Sequence, residues 1–124
     1  MFEISVKTSF SAAHRLPEYQ GSCSRLHGHN WDVEVFLRGS RTNEIGLLID
    51  FKKVKASVRK ILDKLDHQDL NSLVMFADQN PTSENLAKYI YCELSPKLNS
   101  ACCHVHRVLV SETPGTAASY WEEE

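Results

Sequence analysis

The chain opens on an alternation. Phe2, Ile4 and Val6 are interleaved with Glu3, Ser5 and Lys7, the period of two expected of a strand with one buried face. The pattern predicts a strand over residues 2–13. It returns over 29–38, where Trp31, Val33, Val35 and Leu37 take one face and Asp32, Glu34, Phe36 and Arg38 the other. From residue 50 the period changes. Phe51, Val54, Val58, Ile61, Leu62 and Leu65 recur at three- and four-residue spacing, with lysines and arginines opposite. That is an amphipathic helix, capped by Asp50 and running to about Leu65. "NPTSEN" opens a second helix. Pro81 precedes it, Thr82 or Ser83 caps it, and Glu84 sits in the first turn, where the helix dipole favours an acid. Leu86, Ile90 and Leu94 carry its stripe as far as Pro96. Val105, Val108 and Val110 mark a strand in "VHRVLVSET", and "AASYW" a short last strand after the Pro114–Gly115 turn.

The element order is ββααββ. Strand runs around a helix pair predict an α+β fold, a mainly antiparallel sheet with two helices on one face, in a single domain spanning 1–124. "LPEYQGSCS" reads as turn chemistry and "GSRTNEIG" as a hairpin-like loop. Such a sheet leaves edges exposed, and edges of this kind are often covered by another subunit.

Composition narrows the partners. The chain has 124 residues, 42% apolar and 24% charged, with a formal net charge of −2. That balance argues against a nucleic-acid binder, which is usually clearly basic. No apolar run approaches the ~18 residues of a membrane span. The N-terminus alternates and carries charge early, unlike a signal peptide, so the cytoplasm is the expected location. Of the four cysteines, Cys92, Cys102 and Cys103 read as reduced packing residues. The acidic run Glu122–Glu124 reads as a solvated end.

The chemistry concentrates in "CSRLHGHNW" and "FSAAHRL". His27 and His29 flank Gly28, so on an extended chain both imidazoles share a face. Gly28 is expected to allow close approach or a bend. His14 ends the first strand, and only twelve residues separate it from His27. A hairpin therefore brings it beside the pair. Three imidazoles with an open fourth position form the donor set of a catalytic zinc site, and iron or nickel accepts the same set. Cys23 has two readings: a fourth ligand that closes a structural site, or a free thiol beside it whose pKa a cation would lower. On their own, Asp66 and His67 read as a helix C-terminus. Glu112 alone is an exposed carboxylate at a strand end, and Thr82 and Ser83 are caps.

"FSAAHRL", "CSRLHGHNW", "LIDF", "LDHQDLN", "PTSENLAKYI" and "VSET" occur in this order across nearly the whole chain. Together they resemble the 6-pyruvoyl-tetrahydropterin synthase family, most of all its bacterial 6-carboxy-tetrahydropterin-forming branch. The resemblance implies the tunnelling fold (T-fold), a homo-hexamer made of two trimers, and active sites between subunits. By position it implies that His14, His27 and His29 hold Zn2+, that Cys23 is the catalytic thiol, and that Asp66 and His67 complete proton transfer. Glu112 is implied to grip the pterin and close the relay, with Thr82, Ser83 and Glu84 lining the pocket. The implied enzyme is a zinc-dependent lyase acting on 7,8-dihydroneopterin triphosphate in queuosine and related 7-deazapurine biosynthesis. Triphosphate contacts are sought among Arg15, Arg25 and Lys52. The alternatives are the pyruvoyl-forming reaction, or a pterin-binding zinc protein without turnover.

Overall fold

The fold is that of a computed structural model describing residues 1–123; Glu124, the last of the acidic run, lies outside the described residues. Strand β1 (Phe2–His14) and strand β2 (His27–Gly39) form a long hairpin. Helices α1 (Phe51–Leu62) and α2 (Ser83–Leu98) follow, then strands β3 (His104–Ser111) and β4 (Ala118–Tyr120). The sheet order is β1-β2-β3-β4, antiparallel at every pairing. Strands β1 and β4 are its edges, and the His14 end of β1 is partly covered by residues 66–69, where Ala13 bridges to Asp69.

Alternation sorts the two faces of this sheet. Trp31, Val33, Val35 and Leu37 are fully buried on one side of β2, with Val6, Phe10 and Ala12 of β1 beside them. The helices cover that side with Val54, Val58, Ile61 and Leu62 of α1 and Leu86, Ala87, Ile90 and Leu94 of α2. These residues join one core cluster. On the opposite face Asp32, Glu34 and Phe36 are half-buried and Arg38 is exposed. There the Arg107 guanidinium stacks 4.0 Å over the Phe36 ring.

Several boundaries differ from the sequence reading, each for a physical reason. β2 begins at His27, two residues early, because pairing with β1 continues to His14 opposite His27. Helix α1 ends at Leu62, three residues short of Leu65. There the chain tightens into i→i+3 bonds, Lys64 N–H to Ile61 O and Leu65 N–H to Leu62 O. Leu65 remains fully buried. Helix α2 runs past Pro96 to Leu98. Proline removes one ladder donor, but burial of Leu98 draws the last turn onto the core. "GSRTNEIG" does not join two strands. It leads from β2 to α1, with Asn43 Oδ1 accepting the N–H groups of Ile45 and Leu47, each at 3.0 Å.

In β3, Val105 and Val108 lie three apart yet both face the core. A strict period of two forbids this. A bulge resolves it: Phe36 pairs with Arg107 and Leu37 with Val105, so His106 is the extra residue.

Gly39 ends β2 against the chain that leads into β3. A Cβ there would collide with the Cys102 carbonyl oxygen and Leu48 Cδ1, whereas one at Gly28 would meet nothing within 4 Å. Gly39→Ala is expected to lower unfolding stability by about 1–3 kcal/mol, the usual cost of overpacking. Gly28→Ala should stay within about 0.5 kcal/mol of wild type. Urea melts of the two variants check the contrast, and equal losses would contradict it.

Candidate active site

The site grows from the open end of the β1–β2 hairpin. Antiparallel register sets His14 opposite His27, and the two-residue spacing returns His29 to the same side. The three rings converge. Centroids lie 4.6 Å apart for His14–His27, 4.8 Å for His27–His29 and 5.3 Å for His14–His29, with the planes steeply tilted. One nitrogen of each lies within 4.8 Å of the others. Trp31, one step further along the same face, forms the floor against His14 and His29. Its indole N–H donates to Ala12 O at 3.2 Å.

The second nitrogen of two rings is anchored to backbone. His14 Nδ1 lies 2.8 Å from Pro81 O, and His27 Nδ1 lies 2.7 Å from Arg25 O. A carbonyl only accepts, so each Nδ1 carries the proton and, in the neutral ring, Nε2 is a bare lone pair. Nε2 of His14 and Nε2 of His29 are buried without a hydrogen-bond partner. Burial pushes the pKa of both imidazoles below the ordinary value. The Pro81 and Glu112 contacts of His14 pull upward, as Glu112 does at His29, and the neighbouring imidazoles add to the fall. Buried polar atoms without partners are rare in folded proteins. Converging imidazoles, two of them with the far nitrogen fixed by a carbonyl, suit a bound cation. The donor set therefore fits a divalent metal.

Glu112 follows directly on β3. Its carboxylate reaches over the cluster, with Oε2 3.4 Å from His14 Nε2 and Oε1 3.8 Å from His29 Nε2. It shares a cleft of about 330 Å³ with His14, Thr82, Ser83 and Glu84. Thr82 is the residue that caps α2, its Oγ1 accepting the Asn85 N–H at 3.1 Å.

Asp66 and His67 lie on the other flank. Asp66 Oδ1 accepts the Ser11 N–H at 2.9 Å, and Oδ2 lies 3.1 Å from His67 Nδ1. The Ser11 N–H, with smaller help from His67, holds the Asp66 carboxyl below the usual carboxylate range. His67 has a φ of 59°, a left-handed conformation rare for a residue with a Cβ. Its own N–H donates to Ser11 O, so one residue of β1 clamps both members of the pair. The His67 side chain is 81% exposed. It lines a second cleft, of about 500 Å³, with His29, Gly28 and Asn30. His29 thus borders the cleft that His67 lines.

Cys23 sits in a short 3-10 turn, Ser22–Ser24, half-buried and unbridged. It lines neither cleft and is not among the donors that converge. Within one chain the structure therefore brings together His14, His27, His29 and Glu112, with Thr82 and Ser83 at the rim. It sets Asp66 and His67 on the neighbouring flank and leaves Cys23 outside. Of the cations, Arg15 is tied through its backbone to Asn71, and Lys52 lies at the opposite end of α1 from Asp66.

Three contributors escaped the sequence reading. The alternation could have shown Trp31, which follows His27 and His29 at the same spacing. The Pro81 and Arg25 carbonyls carry no side-chain signal. Gly28 neither bends nor packs closely, contrary to expectation. It has open space around it, and its missing side chain helps leave the second cleft clear.

A four-stranded antiparallel sheet, two helices on one face and a histidine cluster at the hairpin's open end define a T-fold domain with a candidate metal centre. The 6-pyruvoyl tetrahydropterin synthase family model matches residues 3–123, and the chain belongs to that family. It is 41% identical over 110 residues to a putative 6-carboxy-5,6,7,8-tetrahydropterin synthase of Archaeoglobus fulgidus, covering 88% of this chain and 86% of that one. It is 35% identical over 126 residues to the 6-carboxy-5,6,7,8-tetrahydropterin synthase of Synechocystis, covering 98% and 94%. The solved structure of Caenorhabditis elegans 6-pyruvoyl tetrahydropterin synthase superposes with a TM-score of 0.88 at 31% identity, covering 98% of this chain and 96% of the other.

Because His14 and His29 resist protonation when folded, the unfolded chain takes up protons first as pH falls through about 6.5. Stability then drops with acid across the window between that value and the depressed folded pKa values. The metal-free protein should melt at lower temperature at pH 5.5 than at pH 7.5. His14→Gln should flatten that difference. Thermal melts in chelator check both.

Proposed function

We propose that the protein is a zinc-dependent 6-carboxy-5,6,7,8-tetrahydropterin synthase, a lyase working as one domain of residues 1–124. It converts 7,8-dihydroneopterin triphosphate to 6-carboxytetrahydropterin, acetaldehyde and triphosphate, and serves queuosine and related 7-deazapurine biosynthesis in the cytoplasm. The observation that carries this reading is the convergence of three imidazoles under a carboxylate, with two buried nitrogens left bare. Relatives named for this reaction, matched over most of their length, support it.

His14, His27 and His29 would hold Zn2+, which supplies Lewis acidity to adjacent side-chain hydroxyls of the substrate and makes their neighbouring C–H protons removable. Glu112 accepts hydrogen bonds from the fork of amino and ring N–H donors that a pterin presents, since one carboxylate can accept two. Thr82 and Ser83 bound that cleft beside the N-terminus of α2. Asp66, held by the Ser11 N–H, orients His67 through Nδ1, so that Nε2 relays protons on its face of the substrate. Cys23, as thiolate, removes and returns protons at the side-chain carbons. Its position outside both clefts of a single chain fits a site completed between subunits, as in a homo-hexamer of two trimers. The edge of β4 and the uncovered part of the edge of β1 suit that assembly.

A second reading is the pyruvoyl-forming reaction, which eliminates triphosphate but keeps all three side-chain carbons. The close superposition on a protein of that name favours it. The short span between His14 and His27 favours the carboxy product.

The zinc-loaded protein incubated with 7,8-dihydroneopterin triphosphate should yield 6-carboxytetrahydropterin and acetaldehyde by mass spectrometry. A pyruvoyl product would select the second reading, and neither pterin product nor triphosphate would remove both. Cys23→Ala should retain zinc and lose turnover by about 10²–10⁴-fold, the scale of a missing general base. Lost zinc would make the thiol a structural ligand instead.

A further inference from the structure

The reading above gives Glu112 a pterin to hold, but its carboxylate also lies against the histidines. Its two oxygens face two different histidines, Oε2 toward His14 Nε2 at 3.4 Å and Oε1 toward His29 Nε2 at 3.8 Å. Both nitrogens are buried and neither has a hydrogen-bond partner. The His14 proton is committed to Pro81 O, so its Nε2 presents a lone pair to an oxygen that also has only lone pairs. Two acceptors turned toward each other, one of them buried, repel unless positive charge lies between them. A proton serves poorly, because 3.4 Å exceeds the length of an N–H···O hydrogen bond. A cation serves better: a tetrahedral ion with bonds of about 2.0–2.1 Å holds its donor atoms about 3.3–3.4 Å apart. The His14–Glu112 contact meets that spacing, while the 3.8 Å His29 contact and the imidazole nitrogens, spread over as much as 4.8 Å, would have to draw in around the ion.

We propose that, while no substrate fills the cleft, the Glu112 carboxylate closes the three-histidine site as a displaceable fourth ligand. The inference rests on the reading that this cluster binds a divalent cation, and it adds a second role for Glu112. The residue lies beyond the end of β3 and is a third exposed, so it can swing without disturbing the sheet. Strand positions fix His14, His27 and His29, and those cannot. Donors on an arriving pterin compete for the same two oxygens. Binding of the ring therefore withdraws the carboxylate and opens one coordination position for the substrate's own hydroxyls. Recognition of the ring and exposure of the cation become one event, so a cation with an open position appears only beneath a bound pterin.

The test uses Zn2+ affinity by chelator competition and the visible spectrum of the Co2+-loaded protein, on wild type, Glu112→Gln and Glu112→Ala. Both variants are expected to weaken Zn2+ binding at least about tenfold, the lower end of what is lost even with an outer-shell partner. Both should also change the Co2+ ligand-field bands. Acetate added to Glu112→Ala should restore the wild-type bands, which a merely structural role would not produce. Unchanged Zn2+ affinity and identical Co2+ spectra in the variants overturn the inference and leave the proposed reaction standing. Variant effects as expected in a wild type that makes no pterin product support the inference and remove the reaction. Failure of wild type to bind either ion overturns both.

Discussion

The register of the β1–β2 hairpin is the constraint on which the molecule turns. Because side chains alternate, a slip of one residue would carry Trp31, Val33, Val35 and Leu37 out of the core. The same slip would carry His27 and His29 away from His14. Core and site are thus specified by one pattern. Burial of four large side chains holds the pairing, and the pairing aims the imidazoles. The convergence of the three imidazoles needs no separate stabilisation of its backbone. It is the last rung of a ladder that the hydrophobic effect has already set.

That economy concentrates strain at the hairpin's open end. Two of the three rings are packed against an indole, and both lose solvent from a nitrogen that gains no protein partner. The fold offsets part of this through the Pro81 and Arg25 carbonyls, which fix tautomers as well as orientations. The remainder can be offset by a bound cation. Cation binding then contributes to the stability of the hairpin end, while the core holds the rest of the sheet independently.

The sequence exposed the parts of this arrangement that repeat. Alternation gave β1 and β2, helical spacing gave α1 and α2, and the HGH triplet put two imidazoles on one face. It failed where a tertiary contact overrides a period. Helix α2 passes Pro96 because Leu98 has a place in the core. Val105 and Val108 share a face only through a bulge at His106, which follows from pairing with β2. The pairing of Asp66 with His67 was legible only by resemblance. Its physical cause, a clamp from Ser11 fifty-five residues away, is invisible to any local reading. The reach of Glu112 over the histidines was hidden for the same reason, since β3 must pair with β2 before its end arrives there.

Placement of the groups also divides the labour. The three histidines stand on paired strands, where neighbours hold each ring in one orientation. The residues assigned to move protons or release a partner stand on turns: Cys23 in a 3-10 turn, His67 in a left-handed residue after α1, Glu112 just beyond β3. A ligand set must hold its geometry through the reaction, so rigid elements suit it. A proton carrier must approach carbon atoms that change position, and a carboxylate shared between two claims must let go of one of them. Loops supply that freedom at little cost to the core. The left-handed backbone of His67 belongs to this logic. A non-glycine residue stays there only when its surroundings insist, and Ser11 does so by holding both the His67 N–H and the Asp66 carboxylate. The ring is thereby aimed while its far nitrogen stays open to solvent and to whatever enters the cleft beside His29.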